Sequence, residues 1–251
     1  MTKEELILQK KLIDTAFSAY YKNIVTFTDF LNLNELKILH STHNEFPAVR
    51  WETFGGYGLA ERQMAAFIPE DLYYEIEYPL ICVKVEPLNR KFSDSLTHRD
   101  FLGAVLNLGI DRSRIGDIVV KDNTGYIIAA CSFGGFLANE LVRVKHTNVR
   151  TTIDSLENIS SAQEFDEICG SVASARIDSI MALAFSSSRS SMSVLAEDGN
   201  VFINGRQNLS NSTVLKPDDI VSIRGKGKFI FKEVVSQTKK GRYFIKILKY
   251  V

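Results

Sequence analysis

The sequence predicts an α+β fold divided into more than one compact unit, and three observations carry that reading. Apolar residues recur at helical spacing through most of residues 1–75. Strand-like and helix-like segments alternate through residues 76–156. Residues 174–251 open with two short helical patterns and continue as strands that alternate apolar with basic residues, and residues 157–173 link the second and third regions. With 251 residues, 45% of them apolar, the chain exceeds the usual size of a single core and can fill two or three small ones.

The N-terminal region reads as mainly helical. Leu6, Ile7, Leu12, Ile13, Phe17 and Tyr20 recur at helical spacing, and Leu31 to Leu39 give a second amphipathic stretch, entered near Thr28 or Asp29. Gly55, Gly56 and Gly58 break the pattern, LAERQMAAF resumes it, and Pro69 closes it. In the middle region, YPLICVKVEPL is β-rich and HRDFLGAVLNLG is helical up to Gly109. GDIVVKDNTGYIIAAC gives two strands joined at Asp122 to Gly125, FLANELVRV a helix and NVRTTID a strand. The order β-α-β-β-α-β predicts a ferredoxin-like or RNA-recognition-motif sandwich. The polar stretch SLENISSAQEFDEICGSVAS then leads into the last region.

There, RIDSIMALAF and SRSSMSVLAED read as short helices, with Ser188 as the N-cap of the second. Gly199 closes that helix, NVFING is a strand ending in an Asn204-Gly205 turn, and DIVSIRGKG, KFIFKEVVSQ and GRYFIKILKYV are the later strands. The whole chain has no net charge, but residues 171–251 hold 13 Lys+Arg against 6 Asp+Glu, giving +7, while residues 1–170 hold 17 against 24, giving −7. A basic module on an acidic body suits a nucleic-acid partner.

With these residues in view, the C-terminal segment resembles the RNA-binding domain named after ribosomal protein S-four, also called the αL motif. The resemblance rests on Arg176, Asp178, Ser188-Arg189, the run from Gly199 to Gly205, and Leu215-Lys216-Pro217-Asp218-Asp219-Ile220. Asp218 departs from the glycine usual there, which puts the tight turn in question. Over most of its length the chain resembles the bacterial YlmH family, through Ala60-Glu61-Arg62, Thr97-His98-Arg99-Asp100, Leu102-Gly103, Leu108-Gly109-Ile110, Arg112 and Ile115-Gly116-Asp117-Ile118. That resemblance implies a cytoplasmic protein that binds ribosomal RNA or transfer RNA on the large ribosomal subunit, a role in rescue of stalled translation, and a link to cell division with a division-related protein partner.

The expected RNA-binding residues are Arg176, Ser188, Arg189, Asn204, Arg206, Lys216, Arg224, Lys226 and Lys228. Guanidinium and ammonium groups neutralise phosphates, helix starts favour anions, and Gly225 and Gly227 let backbone approach closely. Lys239, Lys240, Arg242, Lys246 and Lys249 are weaker candidates, equally suited to protecting an edge strand. Arg62, His98, Arg99, Arg112 and Arg114 are secondary candidates for RNA or ribosome contact. The middle region lacks the paired aromatics on its central strands with which recognition motifs stack bases.

No catalytic residue, cofactor or metal is predicted. His98-Arg99-Asp100 lacks the other kinase motifs, and Asp100 reads more simply as a helix cap. An RNA-modifying enzyme, pseudouridine-synthase-like and using Asp100 or Asp117, is the first alternative; a cell-division-linked interaction scaffold is the second. His40 and His43 share a helical face, but no further ligand completes a metal site. Cys82, Cys131 and Cys169 form no CxxC pair and read as buried thiols of a reducing cytosol. The start, MTKEELILQK, lacks the features of a secretory signal, and no apolar run is long enough for a membrane helix.

Overall fold

The structure, a computed structural model, describes residues 2–250 apart from Tyr74, Gln163, Lys239 and Lys240, with the side chains of residues 160–162 also left aside. Two compact units divide the chain, Met1–Gln163 and Glu164–Val251.

In the first unit, helices α1 (Lys3–Lys22) and α2 (Leu33–Thr42) each begin with a capping box, Thr2 with Glu5 and Asn32 with Glu35. The second helix therefore starts later than expected: Asn32 is the cap, while the Thr28 hydroxyl accepts from the Ala65 amide at 2.9 Å. Strands β1 (Thr26–Phe27), β2 (Val49–Phe54) and β3 (Met64–Pro69) form an antiparallel sheet in the order β1-β3-β2, so the region is not mainly helical. Every residue of β3 is buried. Ala65 and Phe67 pack under Leu12, Ala16 and Leu39 of the helices, and Met64 joins a different core. Burial on two faces overrides the helical preference of its alanines.

The middle region contains β4 (Leu80–Pro87), α3 (His98–Asn107), β5 (Ile115–Lys121), β6 (Thr124–Ala130), α4 (Cys131–Glu140), β7 (Arg143–Val144) and β8 (Thr147–Asp154). All ladders are antiparallel, in the order β5-β6-β4-β8-β7. The first and third strands of the β-α-β-β-α-β series, β4 and β6, are thus central. Helix α4 starts five residues before the expected Phe136, and Arg143–Val144 leaves it as a strand. Gly134 makes this start possible, because a Cβ there would lie 2.7 Å from the Ile81 side chain on β4.

Phe101, Val105 and Leu137 of α3 and α4 cover Val83, Val85 and Ile127 on one face of this sheet. On the other face, Cys82, Val119, Ile128 and Ala130 are buried with Phe30, Tyr57, Ala60 and Met64 from the preceding region. A short helix, α5 (Glu157–Ala162), follows where a linker was expected.

The second unit begins with β9 (Phe165–Val172), continues through α6 (Ile177–Ala184) and α7 (Arg189–Glu197), and ends with β10 (Val201–Ile203), β11 (Arg206–Gln207), β12 (Asp219–Ile223), β13 (Gly227–Gln237) and β14 (Tyr243–Tyr250). The sheet order is β11-β10-β12-β13-β14-β9, and both helices pack on one face, with Ile177, Ile180, Met181, Met192 and Ala196 against Val221, Phe229, Phe231 and Ile245. The rest of the expected linker is therefore an edge strand, paired along its length with β14. Its acidic residues and glycine are poor strand formers, so the partner strand supplies what its own propensity does not. Including β9 lowers the charge of this unit, which holds 13 Lys+Arg against 9 Asp+Glu, giving +4.

Asn204 (φ 48°) and Gly205 (φ 78°) form the expected hairpin turn. Asp218 adopts φ 66°, so the left-handed turn that glycine would favour is kept by an aspartate, whose carboxylate pairs with Lys232 at 2.6 Å. Only Cys82 is buried; Cys131 and Cys169 are exposed. Among the described residues, no helix is long and apolar enough to cross a membrane.

Two glycines test this packing in opposite directions. A Cβ at Gly116 would lie 2.7 Å from the buried ring of Phe30, whereas one at Gly103 in α3 meets nothing. Gly116→Val is expected to cost about 1–3 kcal/mol in urea unfolding through overpacking, and Gly103→Ala to gain up to about 1 kcal/mol through helix propensity.

Candidate nucleic-acid interface

Apart from Asn204 and Arg206, the expected site residues of the second unit gather into two groups at the ends of α6. Arg176 is the N-cap of α6 and Arg189 the first residue of α7, and both reach the carboxylate of Asp178, which is 4% exposed. Arg189 Nη2 donates to Asp178 Oδ2 at 2.6 Å. Arg176 Nη2 lies 3.5 Å from the same oxygen, and its Nε lies 3.4 Å from Oδ1, an ion-pair contact. The Ser179 amide donates to Oδ1 at 2.8 Å. Burial pushes the Asp178 pKa up, but Arg189, the Ser179 amide and Arg176 outweigh it and hold the group below its ordinary value. The side chain of Arg189 remains 52% exposed and that of Arg176 38%.

Ser188 caps α7 as expected, accepting from the Ser191 amide at 3.1 Å. Lys216 is exposed and belongs to the Arg176 end, because Leu215 N donates to Ala175 O and Ile177 N to Thr213 O.

At the other end of α6 lies the turn from β12 to β13, with Arg224, Lys226 and Lys228. Phe185, the C-cap of α6, packs 6.0 Å from Phe229, and a Cβ on Gly227 would meet its ring at 3.7 Å. Arg224 stands 4.9 Å over the Phe202 ring, Lys228 5.3 Å over Tyr250, and Lys249 5.4 Å over Phe185. Arg206 is exposed on β11.

Asn204 lies in the β10–β11 hairpin turn. Its Nδ2 donates to Asp219 Oδ1 at 2.6 Å and its Oδ1 accepts from the Ile220 amide at 2.8 Å, so the amide braces the hairpin. Among the weaker candidates, Lys246 pairs with Glu167 at 2.7 Å and Arg242 donates to Ser171 O at 2.8 Å. Lys239 and Lys240 lie outside the described residues.

In the first unit, Arg62 and Arg112 are engaged with backbone carbonyls. Arg62 donates to the carbonyls of Ile115, Phe30 and Arg112 at 2.9, 3.0 and 3.2 Å, and Arg112 to those of Ile115 and Gly116 at 2.5 and 3.0 Å. Burial lowers the pKa of both, and with repulsion from Arg62 it brings Arg112 down to about 10. Asp117 accepts from Tyr57 Oη at 2.9 Å and from the amides of Glu61 and Arg62 at 2.7 and 3.2 Å, tying down the glycine-rich turn. These half-buried guanidinium groups act as internal braces.

Arg114 pairs with Asp29 at 2.8 Å and lies 5.9 Å from the Phe133 ring. His98 and Arg99 are exposed at the start of α3, and Asp100 closes its capping box, accepting from Thr97 N and Oγ1 at 2.8 Å each. His40 and His43 pack around Trp51, with ring centroids 5.0 and 6.4 Å away.

The sequence reading missed two features. Arg143 and Lys145 join Arg99 along an open cleft of about 530 Å³ that also includes Asp100 and Glu140. Phe202 supports Arg224, a pairing that depends on strand register and has no local signature.

The two-helix, basic-turn arrangement on an antiparallel sheet gives the second unit an α+β fold with two clusters of cations at its surface. Residues 74–158 match the family model described as "Putative RNA-binding domain in YlmH". The chain is 27% identical over 220 residues to the ribosome-associated protein quality control protein P2 of Bacillus subtilis, covering 86% of this chain and 84% of that one. It shares its fold with the cell division protein ylmH from Streptococcus pneumoniae, with a TM-score of 0.50 and 21% identity across 63% of this chain and 95% of that one. In sequence and in fold the chain therefore resembles the YlmH family.

Removing the shared carboxylate tests the clamp. Asp178→Asn is expected to cost about 3 kcal/mol at pH 7, because two guanidinium groups lose their buried partner. The folded-state pKa lies below the unfolded value of about 4, so the stabilisation is present above that pH and is lost as pH falls through the folded value. Urea unfolding of wild type and variant should show a full gap at neutral pH that closes in acid; a gap independent of pH contradicts the assignment.

Proposed function

We propose that this protein holds structured RNA without catalysing a reaction on it. It acts in the cytoplasm on the large ribosomal subunit, through ribosomal RNA and transfer RNA, during rescue of stalled translation. The observation that carries the reading is the convergence of two helix starts, with Arg176 and Arg189, on one buried carboxylate. Each guanidinium has five donors, so those not engaged with Asp178 can meet phosphate while the carboxylate fixes their position. The helix N-termini add partial positive charge. Lys216 extends the group at one end of α6, and Arg224, Lys226 and Lys228 form the second group at the other.

The relative's ribosome-associated name and the match of residues 74–158 support the same partner class. In the middle region, contact runs through the Arg99, Arg143 and Lys145 cleft or Arg114, since Arg62 and Arg112 face inward. The absence of catalysis is supported by the two aspartates best placed for it: Asp100 caps a helix and Asp117 accepts three hydrogen bonds.

The test measures binding to purified large subunits and to transfer RNA across a salt series. Lys216→Ala with Lys226→Ala removes exposed charges that brace nothing described in the fold, and Arg189→Ala is added with a check of thermal unfolding. Each lost phosphate contact is expected to lower the salt slope by about 1, and the combined variant to bind at least about tenfold more weakly. Wild-type affinity indifferent to salt, or variants with unchanged affinity, contradict the proposal.

A further inference from the structure

The outer face of the second unit's sheet, opposite α6 and α7, carries an organised row of side chains. Register places Phe202 beside Ser222 and Ser222 beside Lys228, while Tyr250 pairs with Phe165. Arg224 stands over the Phe202 ring, Lys228 over the Tyr250 ring, and the Tyr250 and Phe165 rings meet edge to face at 4.9 Å. The turn that supplies these cations is opened by Gly225 (φ 78°) and Gly227 (φ 123°), and a side chain at Gly225 would meet nothing within 4 Å.

We propose that this turn and the Phe202 side of the sheet form a reading site for an unpaired nucleotide of RNA. The inference rests on the RNA-binding function proposed above and names the kind of RNA. Arg224 is exposed and its guanidinium carbon lies 4.9 Å from the Phe202 ring centroid, so the group stands between the ring and solvent. A planar cation backed by a ring is a stacking platform for a base, a role that the ammonium of lysine cannot fill. Lys226, exposed between the two glycines, takes the phosphate beside the stacked base.

Sequence-selective RNA recognition mostly targets unpaired bases stacked on aromatic or arginine planes. The middle region's sheet does not offer that surface, because Cys82, Ile128 and Ala130 of its central strands lie under Phe30, Tyr57 and Met64. The Phe202–Arg224 pair presents a planar cation where that sheet presents a covered face.

The experiment compares binding of the full chain to an RNA hairpin carrying one bulged 2-aminopurine and to the same hairpin fully paired. Wild type is expected to prefer the bulged hairpin about tenfold or more and to quench its fluorescence. Arg224→Lys, which keeps the charge, should abolish the preference for the bulged hairpin and the quenching. Phe202→Leu should weaken the preference in the same way, with thermal unfolding confirming that it folds. A preference that survives Arg224→Lys overturns the inference, as does a wild type that binds both hairpins equally; in either case the broader function stands. Failure of wild type to bind either hairpin, large subunits or transfer RNA overturns both.

Discussion

The carboxylate of Asp178 is the constraint on which the second unit's surface depends. A charge this buried is tolerated only when its partners replace the water it has lost. Two guanidinium groups and a backbone amide do so, and in return the starts of α6 and α7 are tied to one point. Without the carboxylate, two long cationic side chains would repel each other and sample many rotamers. With it, they are positioned before any ligand arrives, which reduces the ordering cost of binding.

A second polar joint has the opposite consequence. Arg62, Arg112 and Asp117 bond to backbone groups that connect the glycine-rich turn, the segment before α2 and the start of β5. This joint accompanies a layer that buries Cys82, Val119, Ile128 and Ala130 on the middle sheet's second face. Residues suited by type to phosphate contact are thereby turned into scaffold, and a domain with recognition-motif order loses the central face on which such domains usually read bases. Arginine type alone could not separate the two roles, because inward carbonyls and outward phosphates require the same donors.

What the sequence made legible follows from local physics. The β-α-β-β-α-β order, the Ser188 cap and the Asn204-Gly205 turn all depend on residues close together in the chain. So does the basic character of the last region, although β9 reduces it. The errors lie where distant partners decide. Strand β3 reads as a helix because its alanines favour one and only two-sided burial reverses that preference. Strand β9 reads as a linker because its pairing comes from β14, more than seventy residues later. The Asp178 clamp was half visible, since Arg176, Asp178 and Arg189 stood in one motif, but their convergence requires the helices to be packed. The Phe202–Arg224 pair was hidden altogether by strand register.

Imaging the full chain on the large ribosomal subunit tests the central claim most directly. The account predicts that the starts of α6 and α7, with Arg176, Arg189 and Lys216, and the turn from Arg224 to Lys228 face RNA phosphates, while Arg62 and Arg112 stay inside the protein. A complex in which those helix starts and that turn face solvent while another surface holds the RNA would contradict it.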